Sequence, residues 1–152
     1  MSLVAICSAE FPGRYLSLEA FDVDRPSWPG GGKVTTNTFI DTCETFVLHN
    51  HRDGSVSFES FAWPGVFLRL DGNGVSEGFS SAGGGTVNAQ YGCMLWERFH
   101  IRRKETPREQ QVGIVGIESK VFRNRFIRVT PDVVNVQGQF TSYEELHILT
   151  IG

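Results

Sequence analysis

Apolar and polar residues alternate at a spacing of two in short runs along the whole chain: Val4 and Ile6, Leu16 and Leu18, Val56 and Phe58, Phe99 and Ile101, Leu146 and Ile148. That period is the mark of a strand with one face buried. Clusters of Gly, Pro, Asn, Asp and Ser separate the runs, which predicts many short strands joined by turns. Laid over itself, the chain repeats. VAICSAEFPGRYLSL (4–18), VSFESFAWPGVFLRL (56–70) and VGIESKVFRNRFIRV (115–129) align without a gap. Val4, Val56 and Val115 coincide, then Ile6, Phe58 and Ile117, then an aromatic ring at Phe11, Trp63 and Phe122. Gly13, Gly65 and Asn124 follow at the position of a turn, and Leu16, Leu68 and Ile127 and Leu18, Leu70 and Val129 complete the match.

A second half repeats as well. Val34, Val87 and Val134 are each followed twelve residues later by Phe46, Phe99 and Leu146, with Glu44, Glu97 and Glu144 two residues before those. Each unit therefore predicts four short strands, and the units span approximately 1–54, 55–111 and 112–152 of one domain. One such unit cannot bury its apolar face alone, so three must close on each other. Closure into a barrel also removes exposed strand edges. The expected architecture is all-β: a β-trefoil of twelve strands with pseudo-threefold symmetry and no helix beyond a turn or two.

Composition narrows the partners. The 152 residues are 40% hydrophobic with twelve Phe, enough for a packed core. A net charge of −3 offers no general attraction to a phosphate backbone, so nucleic acid is not expected. No run approaches the ~18 apolar residues of a membrane span. Three cysteines without metal spacing point away from a disulfide framework and towards a reducing compartment. The first residues lack the charged start of a signal peptide, and the chain reads as cytoplasmic, with unconventional export left open.

The copies differ in one loop above all. Between their second and third strands, copy one has EAFDVDRPSWPGGG (19–32) and copy two has DGNGVSEGFSSAGGG (71–85), while copy three has only about 130–133. Loops this long without their own secondary structure are usually functional or disordered, and function in a repeat protein tends to sit on the unshared positions. The candidate binding residues are therefore Asp22, Asp24, Arg25, Pro26, Ser27, Trp28 and Pro29 in the first loop, and Asn73, Ser76, Glu77 and Phe79 in the second. The loops are expected to protrude freely, so that replacing 24–29 by a short Gly/Ser turn would leave thermal stability nearly unchanged. The triple glycines read as turns. The charged connection RRKETPREQQVG (102–113) reads as a solvated link rather than a docking patch.

Catalysis finds no footing. No Ser, Cys or Thr has a His and an acid in a recognisable arrangement. His49, His51 and Asp53 form a polar turn rather than a metal cluster, and His100 and His147 match each other in the repeat. No cofactor or metal is implied. Cys7 stands where Glu59 and Glu118 do, on the outward phase of its strand.

SVSFESFAWPGVFLRL (55–70) and SAEFPGRYLSL (8–18) resemble the repeat of the arabinofuranosidase-associated sugar-binding module, a β-trefoil family. The sugar-contacting His that ends that family's motif is replaced by Leu18, Leu70 and Val129. RYLSLEAF (14–21), KVTTN (33–37) and ETFVL (44–48) are similar to fascin-type trefoils, which bundle actin. In size, acidity and start the chain is similar to fungal trefoil lectins and to the mushroom trefoil inhibitors of cysteine and aspartic proteases, the mycocypins and cocaprins. That last likeness implies steric occlusion of a protease cleft by residues 22–30, with 73–81 as a second contact. The expected partner is thus a protease, with a glycan as the alternative and actin third; a homodimer is allowed. In the sugar reading, Trp28 or Phe79 stacks on a sugar face.

Overall fold

The computed structural model describes residues 2–104 and 113–152. Twelve strands follow in chain order: β1 (Ser2–Ser8), β2 (Tyr15–Glu19), β3 (Lys33–Asn37), β4 (Phe46–Asn50), β5 (Val56–Ser60), β6 (Val66–Asp71), β7 (Thr86–Tyr91), β8 (Phe99–Arg103), β9 (Val115–Ser119), β10 (Phe126–Val129), β11 (Val134–Gln137) and β12 (Leu146–Thr150). Single 3₁₀ turns precede β4 and β12, at Thr42–Glu44 and Ser142–Glu144.

Six strands close a ring. β1 pairs with β4 and β12, β5 with β4 and β8, and β9 with β8 and β12, all antiparallel. The remaining six form three hairpins, β2–β3, β6–β7 and β10–β11, attached at β1, β5 and β9. A six-stranded barrel with three capping hairpins is a β-trefoil, and the units found by self-alignment are its three lobes.

Alternation places the core. Val4, Ile6, Leu16, Leu18, Val34 and Phe46 and their counterparts in copies two and three are all buried. Phe46, Phe58 and Phe99 meet at ring-centroid distances of 6.4 and 6.0 Å at its centre. Full burial of each such side chain stabilises by about 1.5–3 kcal/mol. The first turn of each copy is built alike: Ser8, Ser60 and Ser119 accept through Oγ from the main-chain N–H of Phe11, Trp63 and Phe122. Gly13, Gly65 and Asn124 then take positive φ (82°, 90° and 61°), which is why the repeat keeps Gly or Asn there.

Cys7 departs from the outward reading. It is buried, as is Glu118, at the positions where β1 and β9 pair with β2 and β10. Glu59 and Glu118 use the position to accept from the main-chain N–H of Gly65 and Asn124, both at 2.7 Å. Of the connection between copies two and three, residues 105–112 lie outside the described residues. At its edge Arg102 pairs with Glu118 at 2.5 Å and Lys104 with Glu145 at 2.7 Å.

Candidate ligand-binding site

The long loops do not protrude freely; each lies down on the next copy. In β6 and β7 the side chains that point away from the barrel core include Arg69, Asn88 and Gln90, and all three hold the loop of copy one. Ser27 donates its main-chain N–H to Gln90 Oε1 at 3.0 Å, and its carbonyl accepts from Gln90 Nε2 at 2.5 Å. The carbonyl of Trp28 accepts from Arg69 Nη2 at 2.9 Å, and that of Pro29 from Asn88 Nδ2 at 2.9 Å. Gly31 then pairs with Ala89 like a strand residue.

The same clamp recurs one copy on. Gln137 holds Ser80 through both its amide atoms, Arg128 Nη2 reaches the Ser81 carbonyl at 3.1 Å, and Asn135 Nδ2 the Ala82 carbonyl at 3.0 Å. Gly84 pairs with Val136. In copy one the corresponding residues are Ser17, Thr35 and Asn37, and the loop that would reach them, that of copy three, is short. Thr36 Oγ1 merely donates to the Pro131 carbonyl at 3.0 Å. Loop and clamp are present together or absent together.

The triple glycines are thus close-approach segments as well as turns. A Cβ on Gly30 would stand 2.6 Å from the Ala89 carbonyl oxygen, and one on Gly83 2.8 Å from that of Val136. Both have positive φ, 65° and 64°. Because the main-chain atoms of Ser27, Trp28 and Pro29 are what the clamp binds, a short turn in place of 24–29 removes hydrogen bonds that fasten copy one to copy two. Unchanged stability after that swap is therefore no longer expected.

Each docked loop walls a pocket. The first, of about 410 Å³, is lined by Pro26, Ser27, Trp28, Arg69, Gln90, Met94, Leu95, Trp96 and Glu97. Trp28 is 76% exposed and leans on Trp96 at 4.8 Å between ring centroids. Trp96 carries the Arg69 guanidinium 4.7 Å over its ring and is backed by Phe122 at 5.0 Å. Beneath lie two buried charges, Arg69 and Glu97, with Nε and Oε2 3.9 Å apart. Glu97 Oε1 accepts from the Met94 main-chain N–H at 2.8 Å. Burial raises the Glu97 pKa and lowers that of Arg69, so their attraction offsets only part of the desolvation.

The second pocket, of about 440 Å³, is the symmetry counterpart: Glu10, Phe79, Ser81, Arg128, Gln137, Thr141, Ser142, Tyr143 and Glu144. Tyr143 replaces Trp96 and rests on Phe11, centroids 5.3 Å apart, as Trp96 rests on Phe122. At the third position Cys43 stands in place of the aromatic, and Trp63 packs on Phe21 instead, at 5.1 Å. There Glu44 is satisfied internally, accepting through Oε2 from Ser17 Oγ at 2.6 Å and Asn37 Nδ2 at 3.1 Å.

The candidates from sequence divide accordingly. Pro26, Ser27 and Trp28 line the first pocket and Phe79 the second. Pro29 contributes its carbonyl to the clamp. Asp22, Asp24 and Arg25 form an exposed tip, where Asp24 and Arg25 pair at 3.4 Å. Asn73, Ser76 and Glu77 lie outside both pockets; Glu77 binds Asn124 and Arg125. Missed were Arg69, Gln90, Trp96 and Glu97 and their partners in copy three. The available signal was the recurrence of Arg, Asn and Gln at the same three outward positions in copies two and three only.

The described residues contain no group of three or more acidic, His or Cys side chains placed to hold a metal, and no helix long and apolar enough to cross a membrane. His49 bonds Glu59 at 2.7 Å and His51 Ser57 at 3.0 Å.

No protein-family profile matches the chain, and no curated protein does. Solved structures do. The designed threefold-symmetric protein ThreeFoil superposes with a TM-score of 0.69 at 13% identity, covering 98% of this chain and 99% of its own. SeviL bound to the asialo-GM1 saccharide gives 0.72 at 10%, covering 100% and 99%. A mosquitocidal holotoxin gives 0.72 at 12%, with 99% of this chain but only 17% of the toxin. At such identities the likeness establishes the fold: the chain is a β-trefoil.

Proposed function

We propose that this β-trefoil is a non-catalytic carbohydrate-binding protein whose principal site is the pocket under the first long loop. The observation that carries the reading is the pairing of Trp28 and Trp96 with the buried Arg69, Glu97 and Gln90 in one concavity. A sugar offers an apolar C–H face to a ring and hydroxyls to charged and amide groups, and this pocket presents both kinds of partner together. Clamping removes loop freedom before a ligand arrives, which lowers the entropic cost of binding. Among the described residues Glu97 is the one acid lining this pocket and it faces Arg69, an arrangement suited to holding hydroxyls rather than to paired-carboxylate hydrolysis. The saccharide held by SeviL, which matches over its full length, supports the same reading.

A glycan array probed with the wild type and Trp28→Ala tests it. Hits lost in the variant are expected; a blank array, or hits untouched by the substitution, would overturn it.

A second reading, inhibition of a cysteine or aspartic protease, draws on the exposed tip that Phe21, at 83%, and Asp22–Pro26 present. Only this tip projects, since Ser27 to Gly31 lie against copy two. Papain and pepsin assays beside the array separate the two: inhibition lost on Asp24→Ala with Arg25→Ala, with a blank array, would favour the protease.

A further inference from the structure

We propose that the pocket under the second long loop is a second, chemically distinct glycan site, selective for neutral sugar residues, which makes the protein bivalent with two unlike sites. The inference rests on the carbohydrate reading and extends it to a different set of residues. The two pockets are built by the same clamp on successive copies, yet their linings diverge. Trp96, Leu95 and Met94 of the first are replaced by Tyr143, Ser142 and Thr141. Phe79 supplies a free ring at the mouth, 65% exposed, in place of Pro26.

The floor has a feature that internal packing does not explain. Glu144 is fully buried and spends Oε1 on the main-chain N–H and hydroxyl of Thr141, at 2.8 and 2.9 Å. Its Oε2 has no partner among the described residues, and neither does Nε of Arg128, which lines the same pocket. At the third position the corresponding carboxylate oxygen is fully used by Ser17 and Asn37. An unpaired buried donor and an unpaired buried acceptor in the lining of one pocket, not paired with each other, are costly and are relieved by a ligand group that both accepts and donates. A hydroxyl or an acetamido group does both. Among the described residues lining the pocket, Glu10 and Glu144 stand against Arg128, a balance that disfavours an anionic sugar. The hydroxyls of Ser81, Thr141 and Ser142 and the Tyr143 ring complete a surface for a small polar residue with one apolar face.

One array carrying neutral and sialylated glycans, probed with wild type, Trp28→Ala, Glu144→Gln and Phe79→Ala, tests this. Glu144→Gln keeps an acceptor for Thr141, and Phe79 is exposed, so both variants retain the fold by circular dichroism. Trp28→Ala is expected to lose one set of hits and keep a residual set of neutral glycans. Glu144→Gln and Phe79→Ala are expected to lose that residual set by about tenfold or more while keeping the Trp28-dependent hits. If Trp28→Ala abolishes every hit, the second site is wrong and the first stands. If the residual hits are sialylated, or survive both Glu144→Gln and Phe79→Ala, the site or its class is wrong. Hits lost only in Glu144→Gln and Phe79→Ala would sink the first site and keep the second, and a blank array would sink both.

Discussion

Trp28 and Glu144 show two ways in which one side chain reports on this protein. Trp28 is mostly in solvent, and what holds its segment is its carbonyl, not its ring. Trp28→Ala should therefore remove ligand while lowering stability by less than about 1 kcal/mol, as chemical denaturation would register. Glu144 is the reverse case. Burial raises its pKa above the ordinary 4.5. A carboxyl whose folded value exceeds its unfolded one contributes stability in full below 4.5, and loses it as pH rises through the folded value. Glu144→Gln abolishes that titration, so the melting temperature of the variant relative to wild type should climb as pH is raised from about 4 to about 8. A constant difference across that range would show that Glu144 keeps an ordinary pKa.

At the scale of elements, the strands were legible and the docking of the loops was not. Period-two alternation reports which residues enter the barrel, and Ile6, Phe58, Ile117, Phe46 and Phe99 are fully buried there. Alternation also assigns Arg69 and Arg128 to the outer face, correctly, yet both are buried, because a loop distant in sequence covers that face. Nothing local to Arg69 announces a partner 41 residues away. The loops could be located by comparing copies, but their length alone reads as freedom, whereas Val23 and Val75 turn inward and the triple glycines lie against neighbouring backbone. Two measurements check the docking. Gly30→Ala should cost about 2–3 kcal/mol, because its Cβ meets backbone at positive φ, whereas Gly13→Ala, with open space around it, should cost about 1 kcal/mol. Asn88→Ala, which deletes the hold on Pro29, should cost about 1–2 kcal/mol and speed thermolysin cleavage within 21–29. Equal costs for the two glycines, or unchanged cleavage, would mean that the clamp does not secure the loop.

Across the whole molecule, threefold symmetry governs the frame and is broken at the sites. Each of the three copies supplies the same hydrogen bond, in which Asp41, Met94 and Thr141 donate main-chain N–H to Glu44, Glu97 and Glu144, each at 2.8 Å. Where a long loop meets an Arg–Asn–Gln clamp a pocket opens; where the loop is short, Ser17 and Asn37 close on Glu44. Self-alignment exposed the frame because core positions demand similar side chains in every copy. It left the sites obscure because each joins the loop of one copy to the strands of the next, so neither half is complete within a repeat. Titration of ¹⁵N-labelled protein with a glycan whose array signal is lost in Trp28→Ala examines this joint most directly, through its three indole N–H signals. Trp28 and Trp96, which sit in different copies, should move together while Trp63 stays in place. Movement of Trp63 alone, or of Trp28 without Trp96, would contradict a site shared between neighbouring copies.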